Sequence, residues 1–222
     1  MVGIFLLALR EYEYPGHSEN LDHLWEAFCI IMSFLGLAIR ILVIGHTPKG
    51  TSGRNTNKQV AETLNTTGMY SIVRNPLYLG NFFMSLGIAL FAHLWWLALI
   101  YILAFWLYYE RIILAEEAYL RAKFGNEYLN WANTTPVIIP KFGQYRKAGL
   151  PFSLRNVLGR EYNGFFAVIV AMFVLETFGE LAVEGRFEFD LGWVLLMGIG
   201  FIVWLTLRTL KKHTTILNVD GR

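Results

Sequence analysis

Two apolar runs with almost nothing between them decide the fold of this chain: Leu77–Phe91 (LYLGNFFMSLGIALF) and Leu94–Leu114 (LWWLALIYILAFWLYYERIIL). Only Ala92 and His93 separate them. A membrane-crossing helix needs about 20 mostly apolar residues, because the hydrocarbon core is ~30 Å thick. The two runs therefore predict a tight transmembrane hairpin. The first run has 15 residues, so we expect it to start earlier, to tilt or to turn back inside the protein.

Three further apolar runs, at Leu24–Ile44, Tyr162–Phe178 and Leu191–Leu207, bring the predicted number of spans to about five. Hydrophobic residues make up 55% of the 222 residues and charged residues only 16%, whereas a soluble domain has roughly 25% charged residues. This composition excludes a disordered chain and disfavours a soluble enzyme. We predict an all-α, polytopic membrane protein with one domain over residues 1–222, a motif core at 67–140 and a C-terminal helix pair at 162–207.

Lysine and arginine are concentrated on one side of the predicted membrane. The segments Gly45–Pro76 and Glu110–Glu161 and the tail from Arg208 hold 16 of the 19 such residues. Cytoplasmic loops carry such an excess, so five spans place the N-terminus outside and the C-terminus in the cytoplasm. The expected location is a bacterial inner membrane or the endoplasmic reticulum, with the polar site facing the cytoplasm. Met1–Leu9 is apolar but too short to cross, and is interpreted as an interfacial segment or the remnant of a longer one.

Other partners receive little support from the sequence. A formal net charge of +2 is too small to indicate a nucleic-acid partner, and no obligate protein partner is evident. The five histidines are scattered, and no Cys/His cluster has metal-ligand spacing, so no metal site is predicted. Cys29, the single cysteine, is expected to be a buried thiol because its neighbours are apolar.

The first polar motif is the entrance to the hairpin, Gly68–Gly80 (GMYSIVRNPLYLG). Pro76 suits the first position of a helix, where no hydrogen bond is lost, and Asn75 then falls at the N-cap. On a purely structural interpretation, Arg74 marks the cytoplasmic edge and Tyr78 anchors the span at the interface. This interpretation accounts for the motif without any catalytic role.

The second polar motif follows the hairpin, at Glu116–Tyr128 (EEAYLRAKFGNEY). It is helical in pattern and Gly125 is a plausible stop signal. Glu117 and Arg121 have the i,i+4 spacing of an ion pair, but Glu116 has no basic residue four positions on. An extended apolar stretch, Thr135–Pro140 (TPVIIP), then returns towards the bilayer surface. The residues alone thus indicate a partly acidic site where the cytosol meets the lipid.

Taken together, these segments resemble the isoprenylcysteine carboxyl methyltransferase and phospholipid methyltransferase family. That family carries Gly-x-Tyr-x-x-x-Arg-His-Pro-x-Tyr-x-Gly, two closely spaced spans, Glu-Glu-x-x-Leu, Phe-Gly-x-Glu-Tyr and a proline-bounded apolar stretch. The corresponding elements here are Gly68–Gly80, Leu77–Leu114, Glu116–Leu120, Phe124–Tyr128 and Pro136–Pro140. Their order and spacing make the set specific over about residues 67–140, a third of the chain.

The resemblance implies S-adenosylmethionine as the methyl donor, bound from the cytosol, and a lipid or prenyl-linked acceptor that enters from the bilayer. Arg74 would pair with the donor carboxylate, and Glu116 or Glu117 would bind its ammonium or ribose hydroxyls. Aromatic rings would suit the sulfonium, since a cation over a ring gains about 0.5–2 kcal/mol. The implied catalytic residues are Arg74, Asn75 and Glu116, and the implied cofactor-binding residues are Gly68, Tyr70, Arg74, Asn75, Pro76, Tyr78, Glu116 and Glu117.

Two departures from the family pattern bear on the acceptor. Asn75 replaces the usual histidine, and an asparagine cannot titrate near neutral pH. Thr134 stands near the position where the isoprenylcysteine enzymes have an arginine, which argues against a strict isoprenylcysteine substrate. Because no general base is evident, the motifs favour O-methylation of a carboxylate or phosphate, which is already nucleophilic.

Three alternatives stay open at this point. N-methylation of an aminophospholipid such as phosphatidylethanolamine would require the amine to lose a proton first. A non-enzymatic scaffold or transporter belongs to another class, and transport is disfavoured because the centres of the spans carry almost no ionisable residues. The basic residues within Lys141–Arg160 would attract either an anionic headgroup or the anionic membrane surface in general.

Overall fold

The structure is a computed structural model that describes residues 19–48, 61–185, 187 and 189–221. In these residues the chain forms six α-helices, two short 3-10 turns and no strand, which confirms the all-α prediction. The predictions for Met1–Leu9 and for three basic residues of the Gly45–Pro76 segment, Lys49, Arg54 and Lys58, lie outside the described residues. The helices are α1 (Glu19–His46), α2 (Pro76–Phe91), α3 (Trp95–Phe124), α4 (Asn126–Thr134), α5 (Leu154–Glu184) and α6 (Leu191–His213), and the 3-10 turns are Met69–Ser71 and Phe142–Gln144.

Four of these helices, α1, α3, α5 and α6, are long and apolar enough to cross a membrane. The fifth predicted span, α2, is a shorter apolar helix of 16 residues. At 1.5 Å per residue it measures about 24 Å, which is less than the ~30 Å hydrocarbon core. The prediction of about five spans is therefore only approximate, and α2 is the element that makes it so.

Two helices extend well beyond their predicted apolar runs. α3 continues without a break through Glu116 and Glu117 to Phe124, so the second polar motif begins on the same helix as the span. Its 30 residues measure about 45 Å, which exceeds the hydrocarbon thickness. α5 begins at Leu154, where the Ser153 hydroxyl accepts a hydrogen bond from a backbone N–H, rather than at Tyr162. Hydropathy marks only the lipid-crossing part of a helix, whereas Glu, Arg and Ala continue it readily into water.

The entrance to α2 follows the predicted backbone but not the predicted side-chain contact. Pro76 is the first residue of α2 and Asn75 occupies the N-cap, as expected. The Asn75 side chain makes no capping hydrogen bond, however; its Nδ2 donates to the Val137 carbonyl at 3.2 Å. Gly125 ends α3 with a φ of 53°, which confirms its predicted role as a stop.

α1 packs against α2 through backbone contact at glycines. A Cβ added at Gly36 would overlap the Gly80 carbonyl and the Met84 backbone nitrogen, and one at Gly87 would overlap the Ser33 hydroxyl. The Ser33 hydroxyl also donates to the Met84 carbonyl at 2.8 Å. Small residues that let backbones approach closely are a common basis of helix association in membranes. This contact fixes the position of α2, and with it the first polar motif.

Replacing Gly36 with alanine is expected to destabilise the protein by about 1–3 kcal/mol, because the added methyl group forces α1 and α2 apart. The measurement is the thermal unfolding midpoint of the detergent-solubilised chain. Gly198→Ala is the matched control, since Gly198 is also a helical glycine but has nothing within 4 Å of its added Cβ. Equal midpoints for the two variants would contradict the close packing of α1 and α2.

A cluster of buried apolar side chains lies where the α2–α3 turn meets α1, α5 and α6. Cys29 from α1 is fully buried in it and its thiol is free, as predicted. Phe91 and Trp193 pack edge to face with ring centroids 5.5 Å apart. This core anchors the turn of the hairpin and leaves its open ends at the opposite end of the bundle. The cluster comprises Cys29, Phe91, Ala92, Val168, Met172, Leu175 and Trp193.

Candidate active site

The loop that follows α4 folds back over the entrance to α2. The Arg74 backbone N–H donates to the Pro136 carbonyl at 2.8 Å, and the Lys141 N–H donates to the Ile72 carbonyl at 2.9 Å. At the start of the motif, the Gly68 N–H donates to the Arg146 carbonyl at 2.9 Å. The structure thus brings together the three polar and apolar segments that the sequence analysis selected.

Arg74 connects the first motif to the second. Its Nη1 donates to Glu117 Oε2 at 3.1 Å and to the Tyr128 hydroxyl at 3.4 Å. Glu117 therefore pairs with an arginine 43 residues away in sequence, and not with Arg121 as the helical spacing suggested. The side chains of Arg74 and Glu117 are only 16% and 22% exposed, so their ion pair is largely shielded from water.

Part of this cluster is left without hydrogen-bond partners. Among the described residues, neither Arg74 Nε nor Glu117 Oε1 has a partner, although both atoms are buried. A buried polar atom that lacks a partner costs about 1–3 kcal/mol. A ligand that offers an acceptor to Arg74 and a donor to Glu117 would offset this cost, and the α-carboxylate and α-ammonium of an amino acid provide both. The residues present therefore fit the amino-acid end of S-adenosylmethionine.

Glu116 belongs to a neighbouring group of tyrosines. Its Oε2 accepts a hydrogen bond from the Tyr78 hydroxyl at 2.8 Å, and the Tyr78 ring lies 4.9 Å from the Tyr109 ring. Burial, and next the Glu116 carboxylate, raise the pKa of Tyr70, so this phenol stays protonated. Glu116 and Glu117 are adjacent in sequence but serve different partners, Tyr78 and Arg74 respectively.

Arg74, Glu117 and Tyr128 form a cluster that we call the Arg74 group, and Tyr128 is its neutral member. Burial, and next the Glu117 carboxylate, raise the pKa of the Tyr128 phenol above its ordinary value. Its ring packs edge to face on Trp131, whose indole N–H donates to the Tyr70 carbonyl at 2.9 Å. α4 therefore holds the first motif through two aromatic side chains, neither of which was among the predicted site residues, although Tyr128 belongs to the second motif.

A predominantly apolar cavity of about 680 Å³ opens between α2, α3 and the returning loop. Asn75, Tyr78 and Glu117 contribute its polar end, next to the Arg74 group. Its remaining wall consists mostly of apolar and aromatic side chains, as expected for a site that receives a hydrocarbon chain. Those residues include Leu79, Phe82, Phe83, Ile102, Leu103, Phe105, Trp106, Ile113, Leu114, Val137, Ile138 and Ile139.

The other predicted site residues shape the backbone. Gly68 has a φ of 60° and pairs with Arg146 in an isolated bridge, and Pro76 is buried at the start of α2. The sequence analysis missed Tyr109, which lies on the cavity wall. Tyr109 and Glu116 are seven residues apart, which places both on one face of α3. This spacing could have predicted Tyr109 as a site residue.

Comparison with known proteins gives a family match over part of the chain. The phospholipid methyltransferase family matches residues 28–127, from within α1 to the start of α4. The matched region contains the first polar motif, the hairpin and all but the last residue of the second polar motif, and the predicted resemblance is confirmed. The returning loop, α5 and α6 lie beyond the matched region.

Several curated proteins resemble the chain over part of their length. The nickel-cobalt-cadmium resistance protein NccN of Alcaligenes xylosoxydans xylosoxydans is 31% identical over 146 residues, which are 66% of this chain and 64% of NccN. The cobalt-zinc-cadmium resistance protein CzcN of Cupriavidus metallidurans is 35% identical over 43% of this chain and 41% of CzcN. The protein-S-isoprenylcysteine O-methyltransferase of Schizosaccharomyces pombe is 35% identical over 34% of this chain and 32% of its own.

The chain therefore spans less than two thirds of the length of these relatives. No solved structure matches it. Within the part of the chain that the structure describes, no group of three or more His, Cys, Asp or Glu side chains could hold a metal ion.

Proposed function

We propose that this protein is an S-adenosylmethionine-dependent methyltransferase that acts at the cytoplasmic surface of a membrane on a lipid or prenyl-linked acceptor. The observation that carries the proposal is the pair of buried atoms without partners, Arg74 Nε and Glu117 Oε1, at the polar end of an apolar cavity. The family match over residues 28–127 and the similarity to the isoprenylcysteine O-methyltransferase of Schizosaccharomyces pombe support the same activity.

The donor would lie across the two motifs. Arg74 would bind the donor carboxylate and Glu117 its ammonium, while Glu116 and the Tyr78 hydroxyl would bind the ribose hydroxyls. Asn75 closes this end of the cavity through its contact with Val137. The cofactor supplies an electrophilic methyl group on a sulfonium. The chain contributes binding and alignment, which together are worth up to about 7–11 kcal/mol of the barrier.

The acceptor would place its hydrocarbon chain in the apolar cavity and its reactive oxygen beside Asn75. As the oxygen–carbon bond forms, the carbon–sulfur bond breaks and the electron pair remains on sulfur. A negative oxygen and a positive sulfonium thus become an uncharged ester oxygen and a neutral thioether, so one negative and one positive charge are lost together. Because charges are costly in apolar surroundings, a dry cavity favours this loss of charge. O-methylation of a carboxylate or phosphate requires no proton transfer, in agreement with an asparagine at position 75.

The decisive experiment incubates the purified chain in lipid nanodiscs with methyl-labelled donor and three acceptors. These are a farnesylated cysteine with a free carboxylate, a polyprenyl phosphate and phosphatidylethanolamine. We expect label in one of the two acidic acceptors, and base hydrolysis releases that label if the product is a carboxyl methyl ester. Label confined to phosphatidylethanolamine and stable to base would overturn O-methylation in favour of N-methylation. The absence of both labelling and donor binding would leave the scaffold or transporter interpretation.

A further inference from the structure

Four hydrogen-bonded side chains link α5 to the apolar cavity by way of α1 and α2. Glu161 Oε2 accepts from Arg40 Nε at 2.6 Å, and Glu161 Oε1 accepts from Arg40 Nη2 at 2.7 Å. Arg40 Nη1 donates to Asn81 Oδ1 at 2.5 Å, and Asn81 Nδ2 donates to the Tyr109 hydroxyl at 3.0 Å. Tyr109 lines the cavity, so this row of polar side chains ends at the cavity wall.

Arg40 fixes the orientation of the Asn81 amide. A guanidinium has only hydrogen-bond donors, so the Asn81 atom that contacts Arg40 is the carbonyl oxygen. Arg40 is itself held by two parallel bonds to Glu161, and the two side chains are only 13% and 5% exposed. The amide nitrogen of Asn81 therefore faces Tyr109, and in that contact Asn81 is the donor.

Tyr109 is left with a hydrogen to donate. A phenol has one donor hydrogen and an oxygen that accepts, and the oxygen of Tyr109 already accepts from Asn81. Over the described ranges 19–48, 61–185, 187 and 189–221, no side chain or carbonyl accepts the Tyr109 hydrogen. The cavity wall around Tyr109 is mostly aliphatic and aromatic, so it offers little competition for this donor. An oxygen of a bound ligand would complete the hydrogen bonding of the phenol.

We propose that Tyr109 binds the methyl acceptor by donating a hydrogen bond to an oxygen of its acidic head group. Asn81 and Arg40 are then positioning residues, because they keep the Tyr109 hydrogen available. The Tyr109 ring lies 4.9 Å from the ring of Tyr78, whose hydroxyl bonds to Glu116, so this contact would lie next to the donor site. The inference rests on the proposed function and adds to it a specific polar contact for the acceptor.

The inference also gives a role to a part of the chain outside the family match. Glu161 lies on α5, beyond residues 28–127, and it reaches the cavity wall only through Arg40 and Asn81. α5 would therefore contribute to acceptor binding without touching the acceptor.

The test begins with Tyr109→Phe, which removes the donor and keeps the ring. Steady-state kinetics in nanodiscs use the acidic acceptor that the labelling experiment identifies. We expect the KM for this acceptor to rise about tenfold, the size of effect of losing a hydrogen bond to a charged group. The kcat and the affinity for S-adenosylhomocysteine should stay unchanged. Tyr108→Phe is the matched control, because Tyr108 is 64% exposed and lies outside the set of cavity-lining residues.

Asn81→Asp tests the positioning role. A carboxylate keeps the contact with Arg40 but offers only acceptors to Tyr109, so the phenol would donate its hydrogen to the new carboxylate. The KM should rise as in Tyr109→Phe, although the phenol is still present, and the double variant should show no further rise. The unfolding midpoint checks that each variant is folded. An unchanged KM in Asn81→Asp, or an effect that multiplies with that of Tyr109→Phe, would overturn the positioning role.

The remaining outcomes separate this inference from the proposed function. An unchanged KM in a folded Tyr109→Phe protein that binds S-adenosylhomocysteine would overturn the acceptor contact and leave the methyl transfer intact. An equal rise in Tyr109→Phe and Tyr108→Phe would also overturn it. If the unmodified chain labels neither acidic acceptor, the proposed O-methylation is contradicted and this inference with it.

Discussion

Replacement of Arg74 with alanine is expected to lower the affinity of the protein for S-adenosylhomocysteine by about 10- to 100-fold. This range corresponds to the loss of a charge-assisted hydrogen bond, which is worth about 1.5–3 kcal/mol. Arg74 contributes a buried Nε without a partner, and its Nη1 holds Glu117 in place. The measurement is a calorimetric titration of the purified chain in nanodiscs, with the thermal unfolding midpoint as a check of folding.

Arg121→Ala is the matched control for this titration, because Arg121 is an exposed arginine on the last turn of α3. Its affinity should equal that of the unmodified protein. Glu117→Gln should also weaken binding, since it preserves the shape of the side chain but removes the charge opposite Arg74 and the donor ammonium. If the Arg74→Ala protein folds and its affinity for S-adenosylhomocysteine is unchanged, the donor does not bind at this cluster. That result would contradict the proposed activity.

The second large effect is expected in the apolar cavity. Leu103→Trp should raise the KM for the lipid acceptor about tenfold and leave the donor affinity unchanged. Leu103 lies on α3 in the cavity wall, and the larger ring occupies space that the acceptor chain would fill. Exclusion of about two methylene groups at ~0.8 kcal/mol each accounts for this size of effect. The measurement is steady-state kinetics with the acceptor identified by the labelling experiment.

Leu107→Trp, on the same helix but outside the set of cavity-lining residues, is the corresponding control. Both positions are exposed in the isolated chain, so each variant should fold. Identical KM values for the two tryptophan variants would show that the acceptor chain does not enter this cavity. A parallel loss of donor affinity in Leu103→Trp would show that the donor itself occupies it.

The sequence was sufficient to predict the hairpin, the all-α class and the motifs that meet at its open end. It was not sufficient to choose between Glu116 and Glu117. Successive helical residues differ by about 100° in direction, so the rotation of α3 about its axis decides which carboxylate reaches Arg74. The spacing offered Glu117 a local partner in Arg121, but the fold supplies Arg74 from another segment.

The sequence pattern also could not predict ion pairs between residues that are far apart in the chain. Arg40 lies within the predicted span Leu24–Ile44, but its partner Glu161 lies 121 positions later on α5. The predicted span there started at Tyr162, one residue after Glu161, because only apolar residues were counted. No local sequence rule links two such positions, so the ion pair between α1 and α5 could not be predicted from the sequence.

The glycine contact between α1 and α2 has a mechanical consequence for how a bulky lipid reaches the apolar cavity. Because the backbones of α1 and α2 are in van der Waals contact at Gly36 and Gly87, one helix cannot slide along the other without atomic overlap. We therefore expect the two helices to move together. α3 is joined to α2 by a short turn in which His93 adopts a positive φ of 58°. If the proposed lipid acceptor enters the apolar cavity from the bilayer, we expect α3 to move about that turn while α2, which carries Tyr78, stays in place beside α1.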